Sequence, residues 1–210
     1  MKKKLLIIIP IAVVLSLIIG VFIYLEIYYH ADNDAKEALK SNKNVVVAKN
    51  DYGYFFDGIS EDDALIFYPG AKVEAEAYAP LCMALAENGM DVFLVEMPFR
   101  MAFLGKNKAN KIMANYTYEN WYIGGHSLGG AMASSYAIDN ASKLKGLILF
   151  AAYSTEKLDD KLKVISIYGS NDEVLNKEKY ESYKVNLPTD TYEYVIEGGN
   201  HAQFGSYGNQ

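Results

Sequence analysis

Hydrophobic residues form one long run near the start of this chain, followed by a series of short runs separated by polar segments. The long run, Leu5 to Leu25, contains 21 residues without a charge. A helix of about 20 apolar residues is long enough to cross the hydrocarbon core of a bilayer, which is about 30 Å thick. The pattern therefore predicts a transmembrane helix within residues 1–29.

The flanks of this run favour a retained membrane anchor over a cleaved signal peptide. Lys2 to Lys4 precede the run, and Tyr24, Tyr28 and Tyr29 lie at its other end. Tyrosine is enriched at membrane interfaces, and lysines beside a membrane helix stay on the cytoplasmic side. The apolar part of a signal peptide usually has about 7–15 residues and ends at a small-residue cleavage site. We expect a single-pass anchor with the remaining chain outside the cytoplasm; cleavage and secretion are the alternative.

The short apolar runs have the length of buried strands, and most of them alternate with helical segments. A polar stretch, residues 30–44, comes first and is predicted to be a linker or a short exposed helix. The expected strands are Val45–Lys49, Tyr52–Phe56, Ala64–Tyr68, Asp91–Glu96, Trp121–Ile123, Leu144–Phe150, Val164–Tyr168 and Tyr192–Ile196. The expected helices are Glu74–Asn88, Lys106–Asn115, Leu128–Ile138 and Lys177–Lys184. This alternation predicts an α/β fold with a doubly wound, mostly parallel sheet over residues 45–210.

Composition narrows the range of functions. The net charge of −6 offers no basic surface for nucleic acid. The single cysteine, Cys82, excludes an internal disulfide, and its apolar surroundings predict a buried small hydrophobe rather than a nucleophile. No Cys/His cluster has the spacing of a zinc site, and no glycine-rich phosphate loop is present. We therefore expect no metal, no cofactor and no nucleic-acid partner.

A Gly-x-Ser-x-Gly pentapeptide, Gly125-His-Ser-Leu-Gly129, lies between a predicted strand and a predicted helix. In a nucleophile elbow, a serine occupies a sharp and strained turn that presents its hydroxyl at the carboxyl end of the strand. The glycines two positions before and after the serine leave room for strand and helix to approach each other. Ser127 is therefore the predicted nucleophile.

A serine hydroxyl needs an adjacent base near pH 7, and the chain has three histidines. His30 follows the apolar N-terminal segment and has no catalytic neighbour in the sequence. His126 directly precedes the serine, so its side chain should point away from the hydroxyl and have a structural role. His201 lies in a glycine-rich loop after the last predicted strand, from which it can reach a serine on another strand. We predict His201 as the base, with an ordinary surface-loop histidine as the alternative.

The imidazole also needs a carboxylate that fixes its tautomer and stabilises its protonated form. Asp172 follows a buried strand and should lie at the same edge of the sheet as the elbow. Glu173 is the alternative, one residue away. Asp139, Asp159 and Asp160 lie in positions typical of a solvated surface.

The third expected component is a pair of N–H groups that stabilise the oxyanion. One should be the N–H of Leu128, the residue after the nucleophile, and the other should come from the loop that follows the strand Ala64–Tyr68. In that loop, Gly70 lets the backbone turn inward. The N–H of Ala71, or alternatively that of Lys72, is the predicted donor.

Four motifs together resemble the α/β-hydrolase family, near its small dienelactone-hydrolase-like and lysophospholipase-like members. They are Tyr68-Pro-Gly70, Gly125-His-Ser-Leu-Gly129, Gly169-Ser-Asn-Asp172 and Gly198-Gly-Asn-His201, within residues 45–207. The resemblance implies a mostly parallel sheet with helices on both faces, and hydrolysis of esters or related acyl compounds by a Ser–His–Asp triad. The first motif departs from the His-Gly found in many members.

The expected function is that of a membrane-anchored serine hydrolase acting on a carboxylic ester or thioester, with a small-molecule or lipid-like acyl substrate. Acyl transfer to an envelope glycan or lipid, and a non-catalytic binding role on a hydrolase scaffold, are the alternatives. The apolar segment Met97–Leu104 follows a strand end, and within it Phe99, Arg100 and Phe103 are predicted to contact substrate. Ordinary packing of that loop is equally compatible with its sequence. The short connection Ala151–Lys163 leaves little room for a lid.

Overall fold

The computed structural model describes residues 2–59 and 62–208, with side chains from residue 8 onward. Within these residues, eight strands form one mixed sheet in the order β1-β2-β4-β3-β5-β6-β7-β8. The strands are β1 (Val46–Asn50), β2 (Gly53–Asp57), β3 (Asp63–Tyr68), β4 (Asp91–Val95), β5 (Asn120–His126), β6 (Gly146–Phe150), β7 (Lys163–Gly169) and β8 (Tyr192–Ile196). The β1–β2 and β2–β4 pairs are antiparallel, and all other pairs are parallel.

Helices connect most of these strands, as the sequence pattern predicts. The α-helices are α1 (Lys2–Glu26), α2 (Asn33–Glu37), α3 (Ala79–Glu87), α4 (Lys108–Asn115), α5 (Leu128–Asn140) and α6 (Lys177–Tyr183). Short 3₁₀ turns occupy Ala75–Tyr78, Pro98–Arg100, Ala102–Leu104, Ala141–Lys143, Lys184–Asn186 and His201–Phe204. The predicted fold class is therefore confirmed. The helix predicted from Glu74 begins its α-helical part later, because proline at the start of α3 has no N–H for a preceding α-helical turn.

The sheet is covered on both faces, because successive residues of its inner strands point to opposite sides. On β3, Ala64, Ile66 and Tyr68 join one hydrophobic cluster with α4 and α5. Leu65 and Phe67 join the other cluster, with α2 and α3. The site described below lies at the edge where the central parallel strands end.

The segment predicted as a polar linker or a short exposed helix, residues 30–44, contains the short helix α2 and packs part of its length against the domain. Ala31 and Ala35 are buried in the α3-side cluster, and Ala38 and Leu39 pack beside them. The Asp32 carboxylate caps α2 by accepting a hydrogen bond from the Ala35 N–H at 2.9 Å. These apolar residues follow the spacing i, i+3 and i+4, which places them on one helical face. Charged residues lie between them, so the apolar face was not recognised in the sequence. The short helix expected as one of the two possibilities is thus present, and one side of it packs against the domain.

Helix α1 precedes this segment and exposes its apolar side chains. Its part from Ile8 to Glu26, 19 residues, is long enough and apolar enough to cross a membrane, and none of it is buried against the domain. Near its C-terminal end, α1 contacts the loop that follows β4.

Candidate active site

Ser127 lies on a strained turn between β5 and α5. Its backbone angles, φ 53° and ψ −121°, belong to a region that residues with a side chain seldom occupy. Its N–H donates to the Phe150 carbonyl oxygen at 2.9 Å, which holds the turn against β6. A side chain at Gly125 or Gly129 would collide with the backbone of Tyr68. The two glycines are thus required for the close approach of β3 and α5 around the serine.

His201 and Asp172 form a buried pair in the loops that follow β8 and β7. The distance from His201 Nδ1 to Asp172 Oδ2 is 2.7 Å, and their side chains are only 3% and 0% exposed. The other carboxylate oxygen accepts hydrogen bonds from the N–H groups of Val174, at 2.9 Å, and Leu175, at 2.7 Å. These bonds hold the carboxyl group in position. They also give its buried oxygen the hydrogen-bond partners without which burial would be costly.

A capping box formed by Asn200 and Gln203 holds the backbone at His201. The Asn200 side chain accepts a hydrogen bond from the Gln203 N–H, and the Gln203 side chain accepts one from the Asn200 N–H. This reciprocal capping holds the 3₁₀ turn that begins at His201.

One cavity of about 340 Å³ brings the serine and the histidine together. Ser127 and His201 both line it. Its remaining walls are mostly small or apolar, and they consist of Leu128, Ala131, Ala151, Ala152, Tyr153, Thr155, Val174, Leu175 and Asn176. The structure therefore joins Ser127, His201 and Asp172 in one site, with the carboxylate buried behind the imidazole.

Glu173, the alternative to Asp172, and His30, which the sequence set aside, both lie on the surface. The Glu173 side chain is exposed, although it follows Asp172 directly. His30 is 66% exposed and is 3.0 Å from the carboxylate of Glu74.

Leu128, the first predicted oxyanion donor, directly follows Ser127 and lines the same cavity. Leu128 is the first residue of α5, where N–H groups have no partner within the helix. In the loop after β3, the Gly70 N–H donates to the Tyr78 hydroxyl at 3.1 Å, and the Lys72 N–H donates to the Arg100 carbonyl oxygen at 2.9 Å. The alternative donor Lys72 is thus engaged, which leaves the Ala71 N–H as the candidate from this loop.

His126 is buried between Tyr78 and His201 and is absent from the lining of the cavity that holds Ser127. Its Nδ1 is 2.8 Å from the Tyr78 hydroxyl, and its ring centroid is 4.5 Å from that of His201. Burial lowers the pKa of His126 to about 3; the charge of nearby His201 acts in the same direction, and a hydrogen bond with the His201 backbone opposes it. His126 is therefore neutral at physiological pH. Tyr78 was not identified from the sequence, because it lies in an apolar segment 48 positions from its partner.

The three residues predicted to contact substrate lie outside the cavity with Ser127. Phe99 and Arg100 border a separate cavity of about 390 Å³ beside Glu26 at the end of α1. Phe103 is exposed near Lys106. The backbone of Phe99 and Arg100 is left-handed, with φ angles of 52° and 57°, and this turns the loop toward α1. Their sequence gives no sign of that turn, since neither residue is glycine.

No group of three or more His, Cys, Asp or Glu side chains within residues 2–59 and 62–208 is arranged to hold a metal ion.

The sequence from residue 64 to residue 210 matches the family model described as the alpha/beta hydrolase family. The match covers most of the chain, so the protein belongs to the α/β-hydrolase family. The resemblance drawn from the four sequence motifs is confirmed at this level. No match was found among curated protein sequences.

Solved structures of other hydrolases share the fold. A predicted CIB-like hydrolase from Thermoplasma acidophilum aligns with a TM-score of 0.62 and 14% identity, over 75% of this chain and 89% of that one. The α/β hydrolase MGS-MChE2, from a lagoon-sediment metagenome of Mar Chica in Morocco, gives a TM-score of 0.60 and 19% identity over 76% and 91%. A membrane phospholipase A, described as a bacterial virulence factor, gives a TM-score of 0.64 and 12% identity over 98% and 94%. At these identities the similarity establishes the fold alone.

Proposed function

We propose that this protein is a membrane-anchored serine hydrolase that cleaves a carboxylic ester or thioester. Membership of the α/β-hydrolase family supports hydrolysis in general. The observation that carries the finer proposal is the 2.7 Å contact between His201 and Asp172, buried behind a cavity that Ser127 and His201 both line.

In the proposed reaction, Ser127 Oγ attacks the carbonyl carbon of the substrate while His201 Nε2 accepts the serine proton. Asp172 holds the imidazole in the tautomer with a proton on Nδ1 and stabilises the imidazolium. The negative charge on the carbonyl oxygen is stabilised by the N–H groups of Leu128 and Ala71. Each such donor contributes about 2.7–4 kcal/mol to the transition state.

The intermediate then collapses, and the carbon–oxygen or carbon–sulfur bond to the leaving group breaks. His201 returns its proton to the leaving alcohol or thiol, and an acyl group remains on Ser127. In the second half, His201 takes a proton from water, which attacks the acyl carbon. The acid leaves, and the proton returns to Ser127.

Helix α1 supports the membrane-anchored part of the proposal. It offers 19 residues of spanning length, and the lysines before it favour a cytoplasmic N-terminus with the catalytic domain outside. The neighbour named as a membrane phospholipase A aligns over nearly the whole chain, including this helix. That neighbour's name, together with the apolar cavity, favours an acyl ester of amphiphilic character as substrate.

The test uses the full chain in detergent micelles and a series of p-nitrophenyl esters with acyl chains from acetyl to palmitoyl. Wild type should turn over and react with a fluorophosphonate probe, and Ser127→Ala should do neither. Ser135→Ala is the matched control, since Ser135 lies on α5 and accepts a hydrogen bond from Lys106 away from the cavity. A folded wild type that neither turns over an ester nor labels would refute the proposal.

A further inference from the structure

Helix α1 meets the domain through a contact between two aromatic rings. The centroids of Phe22 and Phe99 are 6.2 Å apart, at an interplanar angle of 72°. Phe22 lies four residues before the end of α1 at Glu26, which corresponds to about 6 Å along the helix axis. A side chain in contact with Phe22 therefore lies near the boundary between the lipid tails and the headgroups when α1 spans a bilayer.

Phe99 belongs to a loop with an exposed apolar surface. We call residues 97–105, between β4 and α4, the β4 loop. Its exposed large side chains are Phe99 at 45%, Phe103 at 55% and Leu104 at 50%. Scattered exposed hydrophobic residues are ordinary, whereas a group of them beside a membrane helix indicates a contact surface.

Cations and tyrosines meet at the same level. Lys72 Nζ lies 3.8 Å from the centroid of the Tyr24 ring, and the guanidinium carbon of Arg100 lies 3.3 Å from the centroid of the Tyr28 ring. Tyrosine rings prefer the headgroup region, and long cationic side chains keep their charge in water while their stems lie along apolar surface. Tyr24 and Tyr28 thus lie where the membrane–water interface is expected. The loop after β3 contacts Tyr24 through Lys72, and the loop after β4 contacts Tyr28 through Arg100.

The segment after α1 is joined to the domain by paired backbone. The Tyr29 N–H donates to the Lys72 carbonyl oxygen at 2.7 Å, and the Glu74 N–H donates to the Tyr29 carbonyl oxygen at 3.0 Å. The side chains of His30 and Glu74 add a contact of 3.0 Å. These bonds fix the direction in which the domain leaves the helix.

The orientation of the domain relative to α1 also orients the candidate active site, because the loops that contact α1 and those that carry the site residues leave the same edge of the sheet. The parallel register places the carboxyl ends of β3, β4, β5, β7 and β8 at one edge. The β4 loop follows β4, Ser127 follows β5, and Asp172 and His201 follow β7 and β8. The membrane contact and the catalytic residues therefore share an edge.

From these observations we infer that the β4 loop inserts its exposed apolar side chains into the surface of a lipid bilayer and holds the active-site edge of the sheet against it. The inference rests on the proposed membrane anchoring. It gives Phe99, Arg100 and Phe103 a role in membrane contact, and it makes esters dissolved in the bilayer the substrates that reach Ser127 most readily.

The first experiment measures depth in the membrane. The full chain is reconstituted into phosphatidylcholine vesicles, and single cysteines introduced by Leu104→Cys, Val185→Cys or Phe22→Cys are labelled with the NBD fluorophore. Cys82 is fully buried and should not react in the folded protein, which unmutated protein checks. Val185 is the matched control: it is 77% exposed and lies in the 3₁₀ turn Lys184–Asn186 between α6 and β8, far from α1 and the β4 loop in the sequence.

Lipids with a nitroxide on the acyl chain should quench the label at positions 104 and 22 by about half or more, and the label at position 185 hardly at all. Quenching at position 22 without quenching at position 104 overturns the inference and leaves the anchor intact. An unquenched label at position 22 overturns the anchoring and the inference together.

The second experiment separates membrane contact from catalysis. Leu104→Ser should lower the hydrolysis of a long-chain ester embedded in vesicles by about fivefold, since less apolar surface enters the bilayer. It should leave the rate on soluble p-nitrophenyl butyrate unchanged, and Val185→Ser should change neither rate. Equal losses on both substrates, or no loss on vesicles, overturn the inference. Absence of turnover by wild type on both substrates refutes the proposed hydrolase, while the quenching experiment still decides where the loop lies.

Discussion

The hydroxyl of Tyr78 lies 2.8 Å from Nδ1 of His126. The same hydroxyl accepts the Gly70 N–H at 3.1 Å, so one buried oxygen connects the Gly125–Gly129 turn to the loop that contains Ala71, the proposed oxyanion donor. A side chain at Gly70 would come within 2.8 Å of both Tyr78 and His126. The loop is therefore positioned by a polar contact beneath the site as well as by its own backbone.

Tyr78→Phe should lower kcat about tenfold with little change in KM, because the Gly70 N–H loses its acceptor and the neighbouring Ala71 N–H is positioned less firmly. Steady-state kinetics on a soluble ester measure both constants. Tyr180→Phe is the control: its hydroxyl is also hydrogen-bonded, to Ser166 and Glu193, but on α6. Equal kcat losses in the two variants would show that the effect is not specific to the loop.

Asp172→Asn should lower kcat by about four orders of magnitude, because the amide no longer holds His201 in the reactive tautomer. Glu173→Gln removes a carboxylate from the next position, where the side chain is exposed, and should change kcat less than about twofold. Active-site titration with a fluorophosphonate probe, followed by ester kinetics, compares the two. A large loss in Glu173→Gln with little loss in Asp172→Asn would reverse the assignment.

The stability of the protein should depend on pH through His126. Its pKa is lowered from 6.5 to about 3 in the folded state, so the unfolded chain binds the proton more readily between those values. The contribution of His126 to the free energy of unfolding is therefore fully present above pH 6.5, the unfolded-state pKa, and is lost as the pH falls from 6.5 toward 3. Between pH 7.5 and pH 5 the loss due to this residue should be about 2 kcal/mol.

Urea unfolding of the full chain in detergent, followed by the fluorescence of Trp121, measures this loss. His126→Gln should flatten the dependence on pH, and His30→Gln should not, because His30 is exposed. Parallel pH profiles for wild type and His126→Gln would contradict the prediction.

Gly129→Ala should destabilise the protein by about 2–3 kcal/mol or more, because the added carbon meets the carbonyl oxygens of Tyr68 and Pro69 and forces β3 and α5 apart. Gly89→Ala is the comparison. Gly89 has a φ of 88° but open space around it, so the cost there should be the backbone strain of about 1 kcal/mol. Unfolding free energies from the same urea titrations decide the order of the two variants.

Features that depend on neighbouring residues were predictable from the sequence. Local sequence pattern predicted the elbow and the short strands. It also predicted the end of α3 before Gly89, whose φ is positive as expected for a residue just beyond a helix end. The placement of Asp172 at the edge that carries Ser127 was also accessible, since strands in a parallel sheet end at one edge. The catalytic roles of these residues remain predictions until they are measured.

Features that depend on distant residues were not predictable. Tyr78 acquires its role from His126, which no sequence spacing indicates. The β4 loop turns toward α1 because Phe99 and Arg100 adopt a left-handed backbone that their residue types do not favour. The docking of residues 30–44 depends on a few alanines among charged neighbours, and their burial follows only once α3 is in place.

The backbone pairing of Tyr29 with Lys72 and Glu74 limits how far the domain can move relative to α1. An enzyme attached to a membrane by a long flexible tether samples a volume set by the tether length. Under the proposed anchoring, a domain joined to α1 by paired backbone samples almost none of that volume, so it would meet molecules that diffuse laterally in the same leaflet. Substrates held farther out in the envelope would have to come to it.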